Sequence, residues 1–521
     1  MTPPTIDEFA EYVEDLPRQS PCWSDGILGL YPVLAWLNTH PVVVQRDLVA
    51  EDGVFFGVMT TARAHHNQVG TAVAWATQYM GGPAGPVATD PEDLPELFDL
   101  AGRAYLMRNL LAEVRQGVRR FTADGHKIVM TFDGDRRLDA LDRLLDLFED
   151  ITDLPKPRTW DPRLRPWLDA GGLDVPWGQS PRWVRAEFQA FAVSLIANYP
   201  SYLPAALDVG GFTMGQATRV LEEMLARGCY MHTCAIGGST SVLVTVPLVD
   251  AEAFVADLTE STGVPEDRVR QIVALLTLDL ERCPDPCLTP LIPLGQDLLL
   301  PLSSLIVPSS PVRNFTALLQ ADPARFGRAG QELGSLGART TAATFKRLSG
   351  ALVTTGIKVV RPDRSRAGDL DVVVCDPTQR IMAIFEIMWR IGPDGSAGVA
   401  KAEEDAHAKR AQVARVRGDV ESGRATPRWP AQWPDVSGFQ VRWFILTPNV
   451  LPVRTVEPDG TIVRSHQMLA RMLAKGSSVA ELIALMDEPH YPPAELTETQ
   501  WEQVTYGDYE INFDVSKARP G

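Results

Sequence analysis

"RSRAGDLDVVVCDPTQRIMAIFEIMWR", residues 364–390, holds two short apolar runs, each with one carboxylate where a plain core strand would carry none. LDVVVC and IMAIFEIM read as strands, and Asp376, Pro377, Thr378 and Gln379 between them favour a turn. A hairpin in which Asp376 closes against Ile381 pairs residues whose numbers sum to 757, which puts Asp371 opposite Glu386. Directly opposed side chains have Cβ atoms roughly 4.5–5.5 Å apart, and like charges there destabilise a sheet. Period two sends Val373 and Cys375 to the side of Asp371, and Leu370, Val372 and Val374 to the other, so both faces are apolar. Water alone serves such a pair poorly. A divalent cation, a nearby Arg or Lys, or a raised pKa is expected. A hard ion such as Mg²⁺ suits two carboxylates that leave room for phosphate oxygens and waters.

The flanks extend this reading. TTAATFKRLSGALVTTGIKVVRP reads as a helix and a first strand, and KAEEDAHAKRAQVARVRGDV as a crossover helix. GFQVRWFILTPN follows as a further strand and SHQMLARMLAKGSSVAELIALM as closing helices. A glycine turn, an Asp on one strand, a Glu on the next and a residue two positions later on the same face make residues 323–487 resemble the PD-(D/E)XK nuclease superfamily, the restriction-endonuclease-like fold.

The resemblance implies an α-β-β-β-α-β core and hydrolysis of nucleic-acid phosphodiesters. It implies Mg²⁺ or Mn²⁺ held by Asp371 and Glu386, and a Lys two residues after the Glu that orients or activates the attacking water. That last position is Met388, and the helix glutamate of the family has no clear match, since Glu332 lies far upstream. Two readings follow. In the first the lysine has migrated: Lys401, Asp405, Lys409 and Gln412 recur at three- and four-residue spacing on one helical face, so Lys409 or Lys401 reaches the site from the crossover helix. Lys409 is the catalytic candidate, and Gln412 resembles the helix glutamine of several branches of the family. In the second the fold is retained without hydrolysis, as a binding or scaffold protein.

Charge divides the chain in the same place. Residues 323–420 hold sixteen Lys and Arg against eleven acids, a balance of plus five, while the rest of the 521-residue chain carries −22 of the formal −17. A protein coated all over with basic residues for nucleic acid or anionic membrane is excluded, and a local anion-binding surface is expected. Lys358, Arg361, Arg364, Arg366 and Gln412 are its candidates, with nucleic acid, DNA first, as the partner. Asp369, next to Gly368, is a turn residue or a secondary ligand candidate. Trp429, Trp433 and Trp443 either stack on bases or pack a Pro-rich loop.

The whole chain reads as multidomain: a mostly α-helical N-terminal region (1–225), a mixed α/β middle region (226–322), the α/β nuclease-like domain (323–487) and an acidic C-terminal tail (488–521). Helical periodicity is plain in residues 94–121 and 136–151, Cys229–Pro247 turns β-like, and EDRVRQIVALLTLDL returns to helix. His65 and His66 lack partners at ligand spacing, and Cys229, His232, Cys234, Cys283 and Cys287 lack CxxC spacing, so neither group reads as a zinc site. The acidic N-terminus fits no secretory or transit peptide, prolines and Asp297 break the longest apolar stretch, and a cytoplasmic location without a membrane span is expected. The N-terminal region carries no catalytic motif and is a candidate for docking a protein partner. The resemblance points to defence against foreign DNA, such as antiviral defence, or to DNA repair.

Overall fold

A computed structural model describes residues 3–19, 30–44, 54–80, 93–115, 117, 119–133, 160–198, 203–239, 241–295, 297–388, 395–447, 461–465, 469, 473, 478–487 and 497–518. It is a multidomain α/β protein. The apolar runs around the opening quotation build a six-stranded sheet between helices. In chain order its elements are α1 (Pro323–Phe345), β1 (Leu352–Val360), β2 (Arg366–Asp376), β3 (Ile381–Ile387), α2 (Gly395–Glu421), β4 (Thr426–Pro427), β5 (Gln440–Thr447), β6 (Ile462–Ser465) and α3 (Val479–Asp487). The strand order across the sheet is β6-β5-β3-β2-β1-β4. β1, β2 and β3 form an antiparallel meander, and α2 carries the chain over to β5, which runs parallel to β3. A parallel neighbour needs such a crossover, and a long helix supplies it.

The β2–β3 hairpin has the register expected from its turn: Asp376 faces Ile381 and Val372 faces Phe385. Its two faces are apolar because both are covered. On one, Val373, Cys375, Met382 and Ile384 pack with Ala406, Val413 and Val416 of α2. On the other, Val372, Val374, Ala383 and Phe385 pack with Ala338, Ala342 and Phe345 of α1 and with Val479 and Leu482 of α3. Phe345, Phe385 and Phe444 form a stack through that layer, with centroids 4.6 and 5.1 Å apart. Leu370 departs from strict alternation. It packs on the α2 side with Val373 and with its β1 partner Ile357, next to Gly356, whose φ is +66°.

The rest of the chain forms two further cores. One is helical, built around Met214–Ile236, Arg182–Asn198 and the pair Ala251–Thr262 and Glu266–Leu276. Leu333 of α1 is buried in that core, so the two ends of α1 belong to different clusters. The other joins helices Ile6–Asp15, Leu30–Val44, Val54–Tyr79 and Asp93–Arg115 to a four-stranded sheet.

Three expectations are corrected here. The boundary at 225/226 falls inside helix Met214–Ile236, and the β-like stretch from Cys229 continues that helix and then makes a short one, Val242–Thr245. Burial of Cys229, Tyr230, Cys234 and Val244 in one core outweighs the β-branched composition. The acidic tail is a hairpin, Thr497–Tyr506 and Tyr509–Ala518, whose second strand pairs in parallel with Lys127–Phe132. Ile511, Phe513 and Val515 alternate towards the core, leaving the acids on the other positions to set the composition. The helical periodicity of 136–151 falls outside the described residues. No described helix is long and apolar enough to cross a membrane.

Candidate active site

Asp371 and Glu386 lie one step beyond Val372 and Phe385, where the β2–β3 ladder ends. There the Asp371 side chain takes over from the backbone: the Ile387 N–H donates to Asp371 Oδ2 at 2.8 Å. The other edge of β3 stays paired, Met388 N–H donating to the Leu446 carbonyl at 2.8 Å. The strands therefore splay on one side only, which leaves both carboxylates at the mouth of the opening under α2. Gly356 sits between Thr355 and Ile357, which pair with Val372 and Leu370, and so lies opposite Asp371. A Cβ there would meet no atom of the described residues within 4 Å, so among them the space beside Asp371 is open.

Lys409 comes down from α2 onto this pair. Its Nζ donates to Glu386 Oε2 at 2.9 Å and lies 3.7 Å from Asp371 Oδ2. The Glu386 side chain is 5% exposed and that of Asp371 32%, so the glutamate is the desolvated member. Burial, and then the neighbouring Asp371, push the Glu386 carboxyl up to about 7, against the lowering influence of Lys409. With both carboxylates ionised the trio carries one uncompensated negative charge. Glu386 Oε1 is buried and accepts no hydrogen bond. A buried acceptor without a partner is costly, and a hard cation or a proton is what satisfies it.

Met388 is buried, packing with Met382, Ile384 and Val413, so the position two after the glutamate is part of the core. Glu332 is exposed on α1, and Asp369 is paired with Arg366, so neither joins the carboxylates. Gln412 is exposed on α2, and the side chain of Lys401 falls outside the described residues. Among the described residues no group of three or more His, Cys, Asp or Glu is placed to hold a metal. Among the described residues the acidic donor set here is the two carboxylates.

The basic candidates gather at the β1–β2 hairpin. Arg364 is exposed, with φ +66° in a turn closed by Arg361 N–H to the Ser365 carbonyl at 2.9 Å. Lys358 is exposed opposite Asp369, Arg361 pairs with Asp419 at 3.0 Å, and Arg366 pairs with Asp369. Asp371 lies five residue steps along the strand from Arg366, about 16 Å. Trp429 and Trp433 stack on each other, centroids 5.9 Å apart, against the cluster that also buries Trp443. Sequence reasoning missed Gly356 and Asp419. A glycine in the middle of a β-branched run was the available signal for the first.

Compared with family models, with curated proteins and with solved structures, the chain has no match.

Proposed function

We propose that residues 323–487 form a PD-(D/E)XK nuclease-like domain that hydrolyses nucleic-acid phosphodiesters with Mg²⁺ or Mn²⁺. The observation that carries this reading is the placement of Lys409 Nζ, from the crossover helix, 2.9 Å from Glu386 and 3.7 Å from Asp371. An ammonium converging on two carboxylates is what a migrated lysine requires, and Met388 in the core leaves its usual place without charge. The antiparallel meander followed by a crossover helix and a parallel strand is the arrangement the resemblance calls for.

The residues fit a divalent ion: two carboxylates converge, and Glu386 Oε1 has an unused lone-pair set out of contact with water. Asp371 and Glu386 would hold it, and it would supply an acidified water and charge stabilisation at the phosphate. The chain does the rest. Lys409 presents an ammonium that hydrogen-bonds a water or a phosphate oxygen and stabilises charge as it develops there. The open space over Gly356 admits the backbone of the substrate. Lys358, Arg361, Arg364 and Arg366 hold neighbouring phosphates, a contribution that weakens with salt as counterions are released.

Incubation of the purified chain with end-labelled DNA and RNA in Mg²⁺, Mn²⁺ or EDTA tests the reading. Cleavage in either metal, none in EDTA and none by Glu386→Gln is expected. Absence of cleavage under all conditions, with nucleic acid still bound, favours the rival reading of a nuclease fold kept as a binding scaffold, for which the buried Met388 is the supporting observation.

A further inference from the structure

The two carboxylates that would hold a metal already face a cation, Lys409 on Glu386 Oε2 and near Asp371 Oδ2. Lys409 Nζ is within 4 Å of both carboxylates, and its side chain is 16% exposed, so it is largely enclosed with them. Any dication bound by Asp371 and Glu386 comes within a few ångströms of that ammonium. Repulsion between charges this close, in partly buried surroundings, is much stronger than in water. Lysine is a point charge on a flexible stem, so it moves away more readily than the strands do. Once displaced it needs another anion, and the anion the proposed reaction brings is a phosphate.

Resting on the function proposed above, we infer that Lys409 is the internal counter-ion of the metal-free site, and that it couples metal binding to phosphodiester binding. The metal competes with the ammonium for Glu386, and a phosphodiester relieves the competition by giving the ammonium a new partner. Metal and phosphodiester then each tighten the binding of the other, as linkage requires.

Calorimetric titration of the full chain with Mn²⁺ tests this, using Lys409→Met and Lys409→Gln, which remove the charge, and Lys409→Arg, which keeps it. The neutral variants are expected to bind Mn²⁺ at least about ten-fold more tightly than wild type, and the arginine variant about as weakly as wild type. In the unmodified protein, dimethyl phosphate, a minimal phosphodiester, is expected to tighten Mn²⁺ binding. That effect is expected to vanish in Lys409→Met. Neutral variants that bind no more tightly than wild type, or no effect of dimethyl phosphate on wild type, overturn the competition while leaving the metal site standing. No Mn²⁺ binding by any variant, or unchanged binding by Glu386→Gln, overturns the metal site and the inference together.

Discussion

Glu386 is a glutamate in a strand that burial would make apolar, and its titration should register in stability. The folded chain holds its carboxyl at about 7, against 4.5 for an ordinary glutamate. The folded state therefore binds this proton more tightly than the unfolded state. Its contribution is fully present below pH 4.5 and is lost as pH rises through 7. Relative to Glu386→Gln, which does not titrate, wild type should lose up to about 3 kcal/mol across that window in EDTA. Urea unfolding of both proteins at the two ends of the window measures this, and a constant difference between them would contradict it. Lys409→Ala should enlarge the loss, because it removes the ammonium that lowers the carboxyl.

Among the elements, β1 is the one whose irregularity shapes the site. Gly356 occupies a left-handed conformation that a β-branched residue adopts only under strain, at a cost of about 1–3 kcal/mol. Gly356→Val should thus lower the midpoint of thermal unfolding and also narrow the space beside Asp371; unchanged stability would show that β1 relaxes freely there. The hairpin, its register and the crossover helix were legible in sequence because alternation and the Asp376–Gln379 turn fix them together. Lys409 was legible as a candidate from helical spacing. The side occupied by Leu370 was not, since nothing in the alternating sequence pattern marks where the strand changes face. Nor was the pairing of Arg361 and Arg366 with Asp419 and Asp369, contacts that depend on tertiary approach or on local rotamers rather than on charge count.

In the whole molecule, the six-stranded unit is inserted into a body made from both ends of the chain. The C-terminal hairpin closes the sheet begun by Arg119–Asp124 and Lys127–Phe132, and Asp514, fully buried, accepts from Arg119 and from the Phe132 N–H at 3.1 and 2.7 Å. The Tyr506 hydroxyl donates to the Val13 carbonyl at 2.9 Å, and the Asp508 N–H to the Tyr12 hydroxyl at 2.9 Å, which ties the first helix to the last hairpin. Composition concealed this, since acids alternating with apolar residues along two strands look like a solvated tail. Asp514→Ala strands the buried Arg119 and should destabilise the protein by about 3 kcal/mol by denaturant titration, while a loss under 1 kcal/mol would show that Glu113 alone satisfies the arginine. The α2 helix that carries Lys409 also packs against helix Asp93–Arg115, so that helix joins the inserted unit to the body. Under the proposed function, this helix supplies the lysine that the strand lacks. Single-turnover cleavage of labelled DNA in Mn²⁺ by wild type, Lys409→Ala and the double variant Met388→Lys with Lys409→Ala measures it most directly. Cleavage by wild type, a loss of at least about 100-fold in Lys409→Ala, and partial recovery in the double variant are predicted; wild-type cleavage that survives Lys409→Ala unchanged would contradict the claim.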